Sequence, residues 1–252
     1  MQRLEHSLKR FVAMVSVVLA CTPSLAQRVS AAPVKTVAVI SAVGHTLTEK
    51  TIGFMVFSND EQKVDISDWK IDDYVTEQVG ALLARSGFRV VQVAYDWHEF
   101  DTHGGGLFGD DVSAAIPKRV RAMALVDGPD LYVVISRSVG PDALFQTNQN
   151  FDGLGVCRRS VLGHASTGIY AYFAISVVDG HTFKGIDTEI ATSPNPGNLF
   201  GRSVPVQHIG LQDVPDSLSS LSPKQMDDVR DALKILIDSA LNSTYPRIDF
   251  PR

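Results

Sequence analysis

The chain has 252 residues, a formal net charge of −5, 44% hydrophobic residues and 20% charged ones. That balance belongs to a folded globular protein and excludes a disordered tail, a collagen-like rod or a disulfide-dense miniprotein. Two cysteines cannot frame a disulfide scaffold, and an acidic chain has no basic surplus for gripping nucleic acid.

Residues 1–26 read as a secretory signal peptide. Arg3, Lys9 and Arg10 precede the apolar run Phe11–Ala20, and Pro23 and the small-residue site Ser24-Leu25-Ala26 follow. From Phe11 to Ala26 the uncharged stretch is shorter than the roughly 20 residues a spanning helix needs. Val17–Cys21 (VVLAC) also resembles the lipobox of bacterial lipoproteins, in which the cysteine becomes the acylated first residue. It departs from that pattern at Val18 and Leu19, so cleavage after Ala26 and lipidation at Cys21 both stay open. Cleavage after Ala26 removes Arg3, Lys9, Arg10 and Glu5 and takes the charge from −5 to −7. Either route leaves Cys157 without an intrachain disulfide partner.

Residues 27–34 form a polar tether. Lys35–Ala42 (KTVAVISA) reads as a buried strand, and Thr46–Phe57 as a second strand and its hairpin partner. Ile71, Tyr74, Val75, Val79, Leu82 and Leu83 fall on one face at the 3.6-residue period. Asp72 and Asp73 sit at the positive end of that helix, and Gly87 stops it. Phe88–Tyr95 is the next strand. Asp111–Val126 has a helical pattern that Pro117 should break or delay. Leu131–Ser136 is another buried strand, parallel to Phe88–Tyr95 through a right-handed crossover. Gly168–Val178 and Thr182–Ala191 flank the hairpin turn Asp179-Gly180. Ser222-Pro223-Lys224-Gln225 opens a last helix with a capping box, and Met226 to Leu241 supply its apolar face.

The order β-β-α-β-α-β-β-β-α implies one α/β domain over residues 35–244, a mixed β-sheet with helices packed on it. Three long loops, 96–110, 137–167 and 192–221, carry no regular pattern. A short aromatic tail, residues 245–252, is expected to dock on its own domain or on a partner. The signal, the opening strand Lys35–Ile40 (KTVAVI), the approach Trp69-Lys70-Ile71-Asp72 and the hairpin Ile175–Thr182 (ISVVDGHT) together resemble the small periplasmic α/β domains of bacterial envelope lipoproteins. Examples are the curli-secretion lipoprotein family, the activator lipoproteins of penicillin-binding proteins and the amino-terminal domain of TolB. The resemblance covers roughly 35–136 and 169–244 as an order of elements. It implies action by binding and assembly, and it brings no catalytic residue with it.

Sites in an α/β sheet gather beyond the carboxyl ends of parallel strands, which places the 96–110 and 137–167 loops on the edge to watch. Asp96, His98, Asp101 and His103 are oxygen and nitrogen donors close enough to meet around a divalent metal ion, although no metalloenzyme spacing is matched. His103–Gly106 looks like an oxyanion loop but lacks a G-x-S-x-G nucleophile elbow. Gly104, Gly106 and Gly109 satisfy G-x-G-x-x-G, but too far from their strand for a dinucleotide fingerprint. Cys157 beside Arg158 and Arg159, with His164 nearby, has the residue types of an activated thiol. The expectation is an exported, non-enzymatic envelope protein, periplasmic or lipid-anchored at Cys21, that binds an envelope protein partner, with no cofactor and no nucleic acid. The competing expectation is a small periplasmic hydrolase, metal- or thiol-assisted, using the two loops.

Overall fold

A computed structural model of the chain describes residues 34–53, 59–101, 112–123, 128–161, 164–193, 198–199, 202–209 and 217–251. The signal segment, the Cys21 lipobox and most of the tether lie outside those residues. Val34–Arg252 form one compact unit.

Three long stretches of chain run side by side and bend at the same level, so that each contributes to two sheets. The first is β1 (Thr36–Ala42) continuing into β2 (Thr46–Ile52). The second is β5 (Leu131–Arg137), which resumes as β8 (Leu154–Val161) after a small hairpin of β6 (Val139–Pro141) with β7 (Asn150–Asp152). The third is β9 (His164–Ala171) continuing into β10 (Phe173–Asp179). At the bend Ser138 N–H donates to Tyr172 O, Tyr172 N–H to Gly153 O and Gly153 N–H to Ser138 O, so the crossing backbone stays hydrogen-bonded.

The first sheet is completed by β4 (Arg89–Val91) and β11 (Gly185–Ile190) and has the order β11-β10-β5-β1-β4. The second is completed by β3 (Asp60–Asp65) and β14 (Val206–Ile209) and has the order β14-β9-β8-β2-β3. In the first sheet β1 runs parallel to both β4 and β5, and β10 is antiparallel to β5 and β11. A two-residue pair, β12 (Asn198–Leu199) with β13 (Arg202–Ser203), lies apart.

The mixed α/β architecture is the expected one, and the Asp179-Gly180 hairpin joins β10 to β11 as read. One pairing is corrected. β1 and β2 are not a hairpin: the short turn between them carries the chain from one sheet to the other, where β2 pairs with β3 and β8. The two parallel strands β4 and β5 are likewise not neighbours, because β1 lies between them. Segments 137–167 and 192–221, read as loops, hold strands β6–β8 and β12–β14 and the first residues of β9.

Helix α1 (Ile71–Arg85) lies on β1 and β4, with Ile71, Val75, Val79 and Leu83 buried as the period requires. Gly87 follows it at φ 88°, the left-handed conformation expected of the stop. Helix α3 (Pro223–Thr244) lies on β9 and against α1. Its capping box is formed: Ser222 Oγ accepts from Gln225 N–H, and Gln225 Oε1 accepts from Ser222 N–H at 2.9 Å. Helix α2 (Val112–Met123) covers the other face of the first sheet and runs through Pro117, where a break was expected. Ile116 and Val120 are wholly buried there, and their burial offsets the roughly 3 kcal/mol an interior proline costs.

The carboxyl-terminal tail docks on its own domain. Ile248 is buried, and Phe250 packs on Phe88 and Tyr245 at ring distances of 5.4 and 5.3 Å. Lys35 Nζ donates to Pro251 O at 3.1 Å, which brings the start of the fold and the end of the chain together at the amino edge of β1. Among the described residues no helix is long and apolar enough to cross a membrane.

Candidate functional site

The carboxyl edge of β1, β4 and β5 gathers a polar and aromatic constellation, as the direction of the parallel strands requires. At the end of β1 the chain turns toward α1, and Asp72, in the first turn of that helix, receives it. Asp72 Oδ1 accepts from Ser41 Oγ at 2.5 Å and from Val43 N–H at 2.9 Å; Oδ2 accepts from Gly44 N–H at 3.1 Å and faces His45 Nε2 at 3.2 Å. The strand end is thereby stapled to the helix start, where a carboxylate also complements the helix dipole. Gly44 is required for this approach: a Cβ there would sit 2.6 Å from Ile71 Cβ and 2.7 Å from Asp72 N.

Beyond β4 the chain passes Tyr95 and closes into a 3₁₀ turn, Trp97–Glu99, over the same edge. The Tyr95 hydroxyl accepts from Ser41 N–H at 3.2 Å and donates to Ser41 O at 3.1 Å, and burial pushes its pKa up. The Trp97 indole stacks on His45 with centroids 3.7 Å apart and planes within 10°, and on His98 at 3.7 Å. Two imidazoles that close cannot share one face, so they flank the indole. Asp96 accepts from His98 N–H at 3.0 Å and lies 2.7 Å from its Nδ1, and these bonds hold the Asp96 carboxyl below its ordinary range.

At the end of β5 Arg137 is buried, its side chain 3% exposed. Its guanidinium meets Asp152 Oδ2 at 3.1 Å and lies 3.9 Å from Asp101 Oδ1, while Lys63 reaches the same Asp152 oxygen at 3.6 Å. Asp101 is therefore directed at Arg137, into the bend between the sheets.

The sequence-predicted residues distribute as follows. Asp96 and His98 are together, but Asp101 belongs to the Arg137 ion pair and not to their group. His103 and the glycines 104, 106 and 109 lie outside the described residues. Among the described residues no group of three or more His, Cys, Asp or Glu side chains could hold a metal ion. Cys157 and His164 do not come together. In the β8–β9 ladder Cys157 faces Gly168 and His164 faces Val161, four residues further along, which is about 13 Å of strand. Cys157 is fully buried, and desolvation pushes its thiol far above the ordinary range despite Arg159 and Lys50. The activated-thiol expectation is corrected on that physical ground. A nucleophilic serine finds no support at Ser41 either, because its proton points at Asp72 and its side chain lies in the core.

Sequence reasoning misses the residues that organise the edge, Ser41, His45, Asp72, Trp97, Arg137 and Asp152. The available signal was positional: Ser41–His45 and Arg137 each end a buried strand, and Asp72 begins the helix between them. The His45–Trp97 contact joins residues far apart in sequence and left no local trace.

No protein-family model matches the chain, and no curated protein matches it. Solved structures are similar to it, among them two bacterial proteins. A neuraminyllactose-binding hemagglutinin homolog from Helicobacter pylori is 11% identical, with 81% of each chain covered and a TM-score of 0.34. Lipoprotein GNA1162 from Neisseria meningitidis is 12% identical, covering 83% of this chain and 96% of its own, with a TM-score of 0.30. At TM-scores this low, neither likeness argues for a shared fold or function.

Proposed function

We propose that this is an exported cell-envelope protein, periplasmic or tethered to the outer membrane through Cys21, that acts by binding an envelope protein as an accessory or assembly module. The observation that carries the non-enzymatic part is the state of the polar groups at the carboxyl edge. Asp72 accepts from the backbone and side chain of the turn it receives, and Arg137 is buried against Asp152 and Asp101. Those groups hold the fold together. What the edge offers outward is the Asp96–Glu99 turn, whose exposed side chains suit contact more than bond-making. Export is supported by the basic, apolar and small-residue succession of residues 1–26.

Three measurements test this. Intact mass of the protein recovered from the cell envelope should give a chain beginning at Gln27 or at an acylated Cys21; an unprocessed chain retained in the cytoplasm sinks the reading. A panel of ester, amide and phosphoester substrates, with and without chelator, should give no turnover; hydrolysis lost on chelation or on thiol alkylation replaces binding with catalysis. A thiol reagent should label Cys157 only as fast as the protein unfolds, since the sulfur is enclosed and protonated.

A further inference from the structure

The hydrogen-bond partners of His45 fix how many protons its ring can use. Nε2 faces Asp72 Oδ2 at 3.2 Å, and an ionised carboxylate only accepts. Nδ1 faces Ser67 Oγ at 3.3 Å. Ser67 has a single hydroxyl proton, and that proton is directed at Asp65 Oδ1, 2.5 Å away. The hydroxyl oxygen therefore turns a lone pair toward His45. Both ring nitrogens look at acceptors, so a neutral imidazole would leave one facing pair without a proton. The ring also lies flat on the Trp97 indole at 3.7 Å, a geometry in which a cation is favoured over a neutral ring.

We propose that His45 is a proton-operated clasp: as the imidazolium it fastens the Trp97 turn to the start of α1 and to the Ser67 turn, and loss of one proton releases it. Three elements meet at this ring. Asp72 comes from α1, and Ser67 comes from the turn after β3, backed by Asp65 at the end of that strand. Trp97 comes from the turn after β4, with His98 stacked behind it and Asp96 bonded to His98. Tyr95 completes the surround through its bonds to Ser41, beside Asp72. The Asp65 carboxyl is itself held below its ordinary range by the Ser67 hydroxyl and N–H, so it remains an acceptor in mildly acidic solution. The clasp is thus closed while the ring carries two protons and open when it carries one. Its opening loosens the surface that the 96–100 segment presents at the carboxyl edge.

The test is ring spectroscopy on the full chain. Two-bond proton–nitrogen spectra read the protonation of each imidazole directly, and the Trp97 indole N–H reports the stack. Between about pH 5 and pH 9, we expect His45 to start with protons on both nitrogens and the Trp97 signal to shift as one proton leaves. His98→Gln should keep that shift, His45→Gln should abolish it, and Ser67→Ala should move its midpoint to lower pH. A His45 that carries one proton from the acid end of that range onward overturns the proposal. So does a Trp97 signal that follows His98 or follows nothing. Should His45→Gln not fold, the native ring spectrum together with His98→Gln decides alone.

Discussion

The two sheets share three lengths of chain, yet they are held by different physics. In the first sheet β1, β5 and β10 are buried on both faces, under α1 and α3 on one side and α2 on the other, and their residues are mostly Val, Ile, Ala and Phe. In the second sheet only one face goes to α3. The other combines Arg137, Asp152 and Lys50 with a cluster of Phe151, Tyr170 and Tyr172. Burial of apolar area is non-directional and tolerates exchange of one aliphatic side chain for another. Paired charges and rings laid over glycines tolerate very little, because each group is right only beside its particular partner. The first sheet should therefore respond to lost volume, and the second to lost partners and added volume.

The largest effect is expected at the bend. Arg137→Met leaves Asp152 and Asp101 in a buried place without their guanidinium, which should cost about 3–5 kcal/mol. For a domain of this size that is a fall in Tm of roughly 10 °C or more. Chemical denaturation of Arg137→Met beside the double change Arg137→Met with Asp152→Leu separates lost pairing from lost packing. The double change should recover a large part of the loss. If the single change costs no more than the double, the bend is held by packing, and the contrast between the sheets fails there.

Next in size is a change of one methyl group. A Cβ on Gly155 would stand 2.1 Å from Tyr170 Cζ, and one on Gly140 would stand 2.2 Å from Tyr172 Cε1. Gly155→Ala should destabilise by about 1–3 kcal/mol, and Tyr170→Val in the same chain should recover only the part due to the ring, because Thr48 O would still stand 2.6 Å from that Cβ. In the first sheet the sign of the sensitive change is opposite. Ile135→Val, which removes a methyl group from a fully buried site, should cost about 0.5–1.5 kcal/mol. Equal tolerance of added and removed methyl groups in both sheets would erase the distinction.

The same contrast governs what could be read before the structure. β1, β5 and β10 are apolar on both faces and announce themselves as continuous β-branched runs, and α1 and α3 show a clean 3.6-residue period. β8 (LGVCRRSV) interrupts its apolar residues with Arg158 and Arg159, and β9 begins His164-Ala165-Ser166, so neither presents an alternating or a continuous apolar pattern. Their strand character comes from pairing with β2 and with each other, which is tertiary context acting on weak propensity. The edge strand β3, DEQKVD, is almost wholly exposed and charged, the composition that discourages further pairing at a sheet edge. The position of the candidate site was legible from strand direction. Its membership was not, because Asp101 turned inward to Arg137 and His45 reached across the fold to Trp97.

A smaller effect tests whether the first sheet is free of specific polar ties. At its amino edge Asp130 Oδ2 accepts from Thr36 N–H at 2.7 Å and Thr36 Oγ at 2.8 Å, and Oδ1 lies 3.1 Å from His181 Nε2. The Thr36 bonds, then His181, lower the Asp130 carboxyl from 3.8 to about 2. A carboxyl held below its unfolded value contributes stability above that value and loses it as pH falls through the folded one. Urea midpoints measured between about pH 4 and pH 2 should therefore fall in the native chain, and fall less steeply in Asp130→Asn. Identical acid profiles would mean the tie adds nothing, and the first sheet would then rest on burial alone.

The smallest effect concerns the helices that roof both sheets. The Tyr74 hydroxyl of α1 donates to Asp238 Oδ2 of α3 at 2.5 Å, and Lys234 Nζ lies 5.0 Å from the Tyr74 ring centre. Burial and that carboxylate push the Tyr74 hydroxyl well above its ordinary pKa, so it stays a donor across the neutral range. Tyr74→Phe keeps the ring, its packing and its contact with Lys234, and removes only the hydrogen bond. The site is partly open to water, which competes for both partners, so the loss should be about 1 kcal/mol or less. Tyr74→Ala should cost more, because the ring surface between α1 and α3 goes as well. If the two changes cost the same, the hydroxyl is the whole of the tie. If Tyr74→Phe costs nothing, the roof is joined by apolar contact alone and belongs with the first sheet in its physics.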